Sequence, residues 1–138
     1  TFYSDGSIEI KARYFRGQLN GAYVNYENNG QKCTVGHYKN NKMSGKWTVY
    51  DENENLIVEE HYSKGIEHGH YSAWFSNGQK QIQGNTVLGE NDGLWTMWNE
   101  HGFKLSEEIF CNGLSKELHD YAPGMCEDCA SKLGKEGE

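Results

Sequence analysis

A 24-residue period runs through this chain and constrains its fold more than any other feature. Glycine recurs at that spacing, and one aromatic column lies two residues after each glycine and another five residues after it. The glycines are Gly21, Gly45, Gly69 and Gly93, the first rings are Tyr23, Trp47, Tyr71 and Trp95, and the second rings are Tyr26, Tyr50, Trp74 and Trp98. Such self-similarity predicts a repeat protein in which each unit packs on its neighbours.

The residues within one period predict a β-hairpin. A segment such as residues 45–50 is rich in aromatic and β-branched residues, as strands are. An Asn–Gly or Asp–Gly pair follows, and its glycine can adopt the positive φ of a hairpin turn. Where Glu54 replaces that glycine, we expect the neighbouring Asn residues to tolerate the turn. The predicted turn glycines are Gly21, Gly45, Gly69, Gly93, Gly30, Gly78 and Gly102.

Short connections between these strands favour antiparallel pairing, because parallel pairing needs a long crossover. We therefore expect an all-β fold, an antiparallel meander of about five 24-residue hairpin repeats forming an elongated, twisted, single-layer sheet over residues 1–118. Residues 119–138 break the period and are expected to form a short C-terminal cap or tail. Since rings three residues apart point to opposite faces of a regular strand, either a bulge intervenes or both faces carry rings.

Composition narrows the classes of ligand. The chain has 138 residues, 36% of them hydrophobic and 13% aromatic, so rings supply most of the apolar area. The formal net charge is -7, and 13 Lys and Arg are spread thinly among 20 acids. This distribution disfavours nucleic acid and an anionic membrane as partners. The chain begins at Thr1 without Met, so an upstream segment and the compartment, cytoplasmic or exported, stay open.

The cysteines contain the sharpest chemical motif. Cys126 and Cys129 form one CxxC, which is half of a zinc site, and no second CxxC accompanies it. They are a weak metal candidate, and a local disulfide or a free dithiol pair are the alternatives. Cys33 and Cys111 fall in strand columns and are expected to be small buried residues.

Motifs for catalysis and cofactor binding are missing from the sequence. His37 and His61 share one column, but residues roughly 10 Å apart in neighbouring repeats cannot ligate one ion. No phosphate loop, zinc-protease motif or nucleophile elbow occurs, and the period accounts for the glycines as turns. Paired acids such as Glu59–Glu60 lack a pocket that would separate their pKa values in a single-layer sheet. We expect no enzyme activity, no cofactor and no metal.

Three segments carry a resemblance to a known family: Gly-Lys-Trp-Thr-Val-Tyr at 45–50, Ser-Asn-Gly at 76–78 and Gly-Leu-Trp-Thr-Met-Trp at 93–98. They resemble MORN-type repeats, in particular the bacterial variant of YwqK-like antitoxin proteins, over about residues 2–118. The chain departs from the pattern at Glu54, at Thr86 and after Leu118. The resemblance implies a single-layer β-meander without catalysis, and a role in protein binding, scaffolding, or antitoxin or immunity function. A link to phosphoinositide lipids, known for some MORN proteins, is disfavoured by the acidity of this chain.

These features predict a non-catalytic protein–protein interaction module with a basic partner. Tyr and Trp on a rigid sheet are good anchors, because they bring apolar area at low entropic cost. The first candidates are Tyr26, Tyr50, Trp74 and Trp98, and the second are Trp47 and Trp95. The competing interpretation is that these rings only pack the sheet together. The alternative functions are a lipid- or carbohydrate-binding repeat protein of the cell envelope and a purely structural spacer.

Overall fold

The computed structural model describes residues 1–111 and 114–117, and side chains for the first of these ranges. These residues form one open antiparallel sheet, with no helix among them and so none that could span a membrane. The predicted all-β meander of hairpin repeats is confirmed. The predicted cap or tail, which contains Cys126 and Cys129, lies outside the described residues.

Consecutive strands pair along the whole described chain, in the order β1-β2-β3-β5-β6-β8-β9-β10-β11-β12. Two-residue strands β4 and β7 directly precede β5 and β8, and correspond to the first residues of the longer strands β2 and β10. The strands are β1 Ile10–Phe15, β2 Gln18–Tyr26, β3 Lys32–Lys39, β4 Lys42–Met43, β5 Gly45–Tyr50, β6 Leu56–Ser63, β7 Ile66–Glu67, β8 Gly69–Trp74, β9 Lys80–Val87, β10 Glu90–Trp98, β11 Lys104–Cys111 and β12 Leu114–Glu117.

Every hairpin closes with the same five-residue turn. In the fourth, the Gly78 N–H donates to the Phe75 carbonyl and the Phe75 N–H donates to the Gln79 carbonyl, both at 2.9 Å. Gly78 has a φ of 86°, so the hairpin is a type I turn followed by a left-handed residue. The Asn77 side chain accepts a bond from the Gln79 N–H and donates to the Glu100 carbonyl of the next turn at 2.8 Å. Adjacent turns are thereby linked.

The hairpin turn at residues 51–55 differs from its prediction. Glu54 itself occupies the left-handed position, with a φ of 62°, and neither Asn53 nor Asn55 has a positive φ. The Asp51 carboxylate holds this turn by accepting bonds from the backbone N–H groups of Asn53 and Asn55, both at 2.9 Å. Hydrogen bonding, first from the Asn55 side chain, lowers the pKa of Asp51. The expectation that Asn would take over the glycine's role was wrong, because the hydrogen-bond pattern fixes which residue turns.

Replacing Glu54 by glycine is expected to raise the free energy of unfolding by about 1 kcal/mol, because glycine reaches this φ without a clash at Cβ. Urea denaturation with a common slope for both proteins measures the change. The reverse exchange, Gly78→Glu at the equivalent position with a φ of 86°, is the matched control and should lose a similar amount. Equal stability of all three proteins would contradict the expectation.

The predicted turn glycines divide into two groups. Gly30, Gly78 and Gly102 lie in hairpin turns, as predicted. Gly21, Gly45, Gly69 and Gly93 do not, because they lie in β2, β5, β8 and β10. Each has a positive φ, from 70° at Gly45 to 124° at Gly69, beside a two-residue shift in strand register. Their role is to let the strand bulge rather than turn.

The connections between hairpins are two-residue turns of the I′ type. In the first, Arg16 and Gly17 have φ values of 49° and 76° between the paired residues Phe15 and Gln18. The same geometry recurs at Asn40–Asn41, Lys64–Gly65 and Leu88–Gly89. The Gly65 N–H donates to a carbonyl one repeat earlier, that of Met43, at 2.9 Å, so these turns also link successive repeats.

Both faces of the sheet carry rings, which resolves the alternative left open by the sequence. Within each hairpin the register shifts by one residue near the turn, for example between Val49 and Tyr50. The extra residue, Ile57, lies in the partner strand, so Gly45–Tyr50 keeps its alternation. Trp47 and Tyr50 therefore point to opposite faces.

Candidate functional site

Seven rings on one face of the sheet, called the stack face here, form two clusters, which are together called the ring stack. Trp47 is the centre of the cluster of four, with ring centroids 5.5 Å from Tyr23, 5.1 Å from Tyr38 and 6.3 Å from Tyr62. Trp95 is the centre of the cluster of three, 5.5 Å from Tyr71 and 6.2 Å from Phe110. Tilted and edge-on arrangements at these distances stabilise aromatic pairs beyond their burial. The ring stack comprises Tyr23, Tyr38, Trp47, Tyr62, Tyr71, Trp95 and Phe110.

Two glycines make room for the indoles of the ring stack. A Cβ on Gly36 would lie 2.1 Å from Cδ2 of Trp47, and a Cβ on Gly84 would lie 2.1 Å from Cδ2 of Trp95. Real carbon atoms do not approach so closely, and neither glycine has a positive φ. Gly36 and Gly84 are thus required for close approach rather than for backbone conformation.

These contacts show a longer period of 48 residues. Along the stack face, Tyr23, Gly36, Trp47 and Glu60 are followed by an equivalent second set, Tyr71, Gly84, Trp95 and Glu108. Sequence reasoning missed this double repeat, because it compared columns only at 24 residues. The alternation of Tyr with Trp, matched by Gly in the neighbouring column, was the signal that could have found it.

The second-rank binding candidates, Trp47 and Trp95, both belong to the ring stack. Only 3% of the surface of Trp47 is exposed, whereas Trp95 is half-buried. The Trp95 Nε1–H donates to the Asn85 carbonyl at 3.1 Å, while Nε1 of Trp47 has no partner among the described residues. Trp47 is covered by its neighbours in this conformation, and we leave it out of the proposed contact surface.

Tyrosine hydroxyls of the stack face lie beside carboxylates of the same face. The Tyr62 hydroxyl donates to Oε1 of Glu60 at 3.0 Å. Burial, and then this hydrogen bond, raise the pKa of Tyr62. Burial, and then the charge of Glu60, raise the pKa of Tyr71. A phenol that holds its proton more tightly is a poor acid or nucleophile, so this arrangement favours packing over chemistry.

The four first-rank candidates lie on the opposite face, called the stripe face, and form the aromatic stripe: Tyr26, Tyr50, Trp74 and Trp98. All four are half-buried, so part of each ring is accessible. Neighbouring members are two strands apart, about 10 Å. The residues directly opposite them are Lys32, Leu56, Lys80 and Lys104, and the Lys80 Nζ lies 5.6 Å from the Trp74 ring centroid.

A row of small side chains lies beside the aromatic stripe. Thr48, Ser72 and Thr96 are buried, and Ser72 is only 1% exposed. They belong to a ladder of directly opposed residues that crosses the stripe face from β2 to β11: Val24, Val35, Thr48, Glu59, Ser72, Gln83, Thr96 and Glu107. The stripe rings are therefore more accessible than the residues next to them.

A cleft of about 480 Å³ opens between two hairpin turns, next to the aromatic stripe. It is lined by Glu27, Asn28, Asn29, Tyr50, Asp51 and Glu52. The Asp51 carboxylate in it is occupied by the hydrogen bonds of its own turn. The cleft offers a polar recess beside Tyr50 rather than an enclosed site with converging acid and base groups.

The cysteines differ from their prediction as small buried residues. Cys33 is half-buried and has a free thiol. Cys111 is also half-buried and is disulfide-bonded. These strand positions are not fully buried because no second layer covers either face of the sheet in the described residues. In the part of the chain that the structure describes, no group of three or more His, Cys, Asp or Glu could hold a metal ion.

The fold and its faces define a class of protein: a β-hairpin repeat protein with no second layer in its described residues. Residues 43–64 match the family model described as MORN repeat variant. This segment covers one hairpin, from β4 to the connection after β6, and the chain therefore carries a MORN-type repeat. No curated protein matches the chain.

Proposed function

We propose that this protein is a non-catalytic binding module, and that its partner is a protein held across the aromatic stripe. The observation that carries the proposal is the division of the rings between the two faces. Those of the stack face contact one another, whereas no ring-to-ring contact joins the stripe rings among the described residues. Accessible rings on a hydrogen-bonded sheet are suitable anchors for a partner.

The matched family supports the coarse part of this proposal. MORN repeats are generally protein- or membrane-binding modules without catalysis. The open cleft and the structural use of Asp51 agree with a binding role. Within this proposal, an antitoxin or immunity protein of the YwqK-like kind is the special case in which the partner is a toxin.

Replacing Trp98 by alanine is expected to reduce retention of the partner at least tenfold in a pulldown from native lysate, because an aromatic anchor commonly contributes about 2 kcal/mol or more to binding. The amount of each retained protein is quantified by mass spectrometry beside the wild type. Tyr14→Ala is the matched control, since Tyr14 is 67% exposed and lies on the stack face.

The proposal requires that one protein be depleted with Trp98→Ala and kept with Tyr14→Ala. Equal retention by all three proteins would contradict it. A urea denaturation curve for each variant separates a lost contact from a lost fold. If Trp98→Ala loses no more than about 2 kcal/mol of unfolding free energy and is still fully folded without denaturant, the lost retention belongs to the interface.

A further inference from the structure

The basic residues of the strands all lie on one face. Residues 1–111 contain ten Lys and Arg, of which two, Arg16 and Lys64, lie in the turns between hairpins. The other eight are Lys11, Arg13, Lys32, Lys39, Lys42, Lys46, Lys80 and Lys104. All eight belong to the stripe face.

Strand register establishes this placement. Lys11 opposes Val24 of the ladder beside the aromatic stripe, and Lys46 is two residues from Thr48 of the same ladder. Residues that oppose each other, or that are two apart in one strand, share a face. By the same rule Arg13 lies on this face, because it is two residues after Lys11. Lys39 lies there because it is four residues after Val35 in β3, and Lys42 lies there because it opposes Lys39. The remaining three lysines oppose rings of the stripe.

The carboxylates are distributed in the opposite way. Four of the fourteen acids in residues 1–111 lie on the stripe face, namely Glu59, Glu90, Asp92 and Glu107, against eight basic residues. Glu59 is 3.5 Å from the Lys46 Nζ, and Glu107 is paired with Lys104. The other ten lie on the stack face, just before β1, or in and near turns: Glu60, Glu67, Glu108, Asp5, Glu9, Glu27, Asp51, Glu52, Glu54 and Glu100. A chain with a net charge of -7 thus has one face with an excess of positive charge.

We propose that the stripe face binds an acidic polypeptide segment laid along the aromatic stripe, an inference that rests on the proposed binding function. A lysine opposes three of the four rings there, as in the pairs Trp74–Lys80 and Trp98–Lys104, and Leu56 opposes Tyr50. Carboxylates of the segment pair with the lysines, and its apolar groups pack on the rings. The net charge of the whole chain predicts a basic partner. Attraction at close range depends instead on the charge of the contacted face, which here is positive.

The dimensions of the aromatic stripe suit an extended chain. Tyr26 and Trp98 are three repeats apart, which is about 30 Å at 10 Å per repeat. An extended segment of roughly nine residues, at 3.3 Å per residue, covers that length. The lysines opposite three of the four rings therefore favour a short segment in which acidic and apolar residues are mixed.

The rim beyond the aromatic stripe favours a narrow ligand over a membrane. The hairpin turns adjoin the stripe and carry Glu27, Asp51, Glu52 and Glu100. These carboxylates would face a flat anionic bilayer at the same time as the lysines, and repulsion would offset the attraction. A single extended segment that follows the stripe avoids the rim.

Fluorescence anisotropy with two labelled 12-residue peptides, one of alternating Glu and Tyr and one of alternating Lys and Tyr, tests this inference on the full chain. We expect the acidic peptide to bind at least tenfold more tightly than the basic one, with weaker binding at high salt. The triple variant K32E/K80E/K104E should weaken it at least tenfold. The matched triple K11E/K39E/K42E changes as many charges on the same face away from the stripe and should weaken it less than threefold. Circular dichroism verifies that both triples fold.

Four other outcomes would each contradict a different part of the proposal. Tighter binding of the basic peptide, lost in Trp74→Ala/Trp98→Ala, overturns the acidic partner and leaves the stripe as the binding surface. Equal weakening by both triples overturns the placement along the stripe. Binding to phosphatidylserine vesicles without binding to the acidic peptide overturns the polypeptide in favour of a membrane. Unchanged binding of both peptides in the double Trp variant contradicts the proposed function itself.

Discussion

Trp47→Ala is expected to lower the free energy of unfolding by about 4 kcal/mol, since removal of a large buried ring typically costs 3–5 kcal/mol. Trp47 is 3% exposed and contacts three other rings, so its loss opens a gap in the ring stack that the hydrogen-bonded sheet cannot close. Urea denaturation followed by circular dichroism measures the effect, and tryptophan fluorescence as a second probe tests whether unfolding is two-state.

Trp98→Ala is the control for this prediction. Trp98 is half-buried on the stripe face, and we expect its loss to cost about 1–2 kcal/mol, roughly in proportion to the apolar area removed. A smaller loss for Trp47→Ala than for Trp98→Ala would contradict the assignment of the ring stack as the main packing surface.

Gly36→Ala is expected to destabilise the protein by about 3 kcal/mol, at the upper end of typical overpacking costs. The added Cβ would lie 2.1 Å from Cδ2 of Trp47, so the indole or the strand must move. The chain itself indicates the remedy, because Ala12 stands opposite Tyr23 at the equivalent place in the first repeat. A smaller ring is compatible there with a Cβ on the neighbouring strand.

The double variant Gly36→Ala/Trp47→Tyr recreates that first-repeat pair and should be at least 1 kcal/mol more stable than the sum of the two single changes predicts, a coupling usual for residues in contact. All four proteins of the cycle are compared by urea denaturation. Additive effects would contradict the direct packing of Trp47 on Gly36, and a harmless Gly36→Ala would contradict the close approach.

The period of 24 residues was enough to predict the class of fold. Its glycines and rings indicated strands and tight turns, and the pairing of consecutive strands followed from short connections. It could not place Gly21 and its equivalents in bulges, because a glycine that turns and one that bulges use the same positive φ. It could not identify Glu54 as the left-handed residue either, because the bonds to Asp51 decide that position.

The charge of the stripe face was beyond sequence reasoning for a similar reason. Lys80 and Lys46 share a face only because the strand register shifts by one residue near the hairpin turn, between Ala73 and Trp74. A one-residue error in register moves every side chain to the other face. Composition could report only the total charge, which led to the expectation of a basic partner.

The two faces of this sheet therefore differ in what they can do. The stack face uses Gly36 and Gly84 to seat two indoles among five other rings, which stabilises the array. The stripe face holds accessible rings and all but one of the eight lysines of residues 1–111. Substitutions on the first are expected to change stability, and substitutions on the second to change binding.

Hydroxyl-radical footprinting of the four tryptophans, with and without the acidic Glu–Tyr peptide, tests this division most directly. Trp47 should be the least oxidised in the free protein, and the peptide should protect Trp74 and Trp98 while leaving Trp47 and Trp95 unchanged. Oxidation of Trp47 as fast as that of Trp98, or protection that falls on Trp95 instead of Trp74 and Trp98, would contradict it.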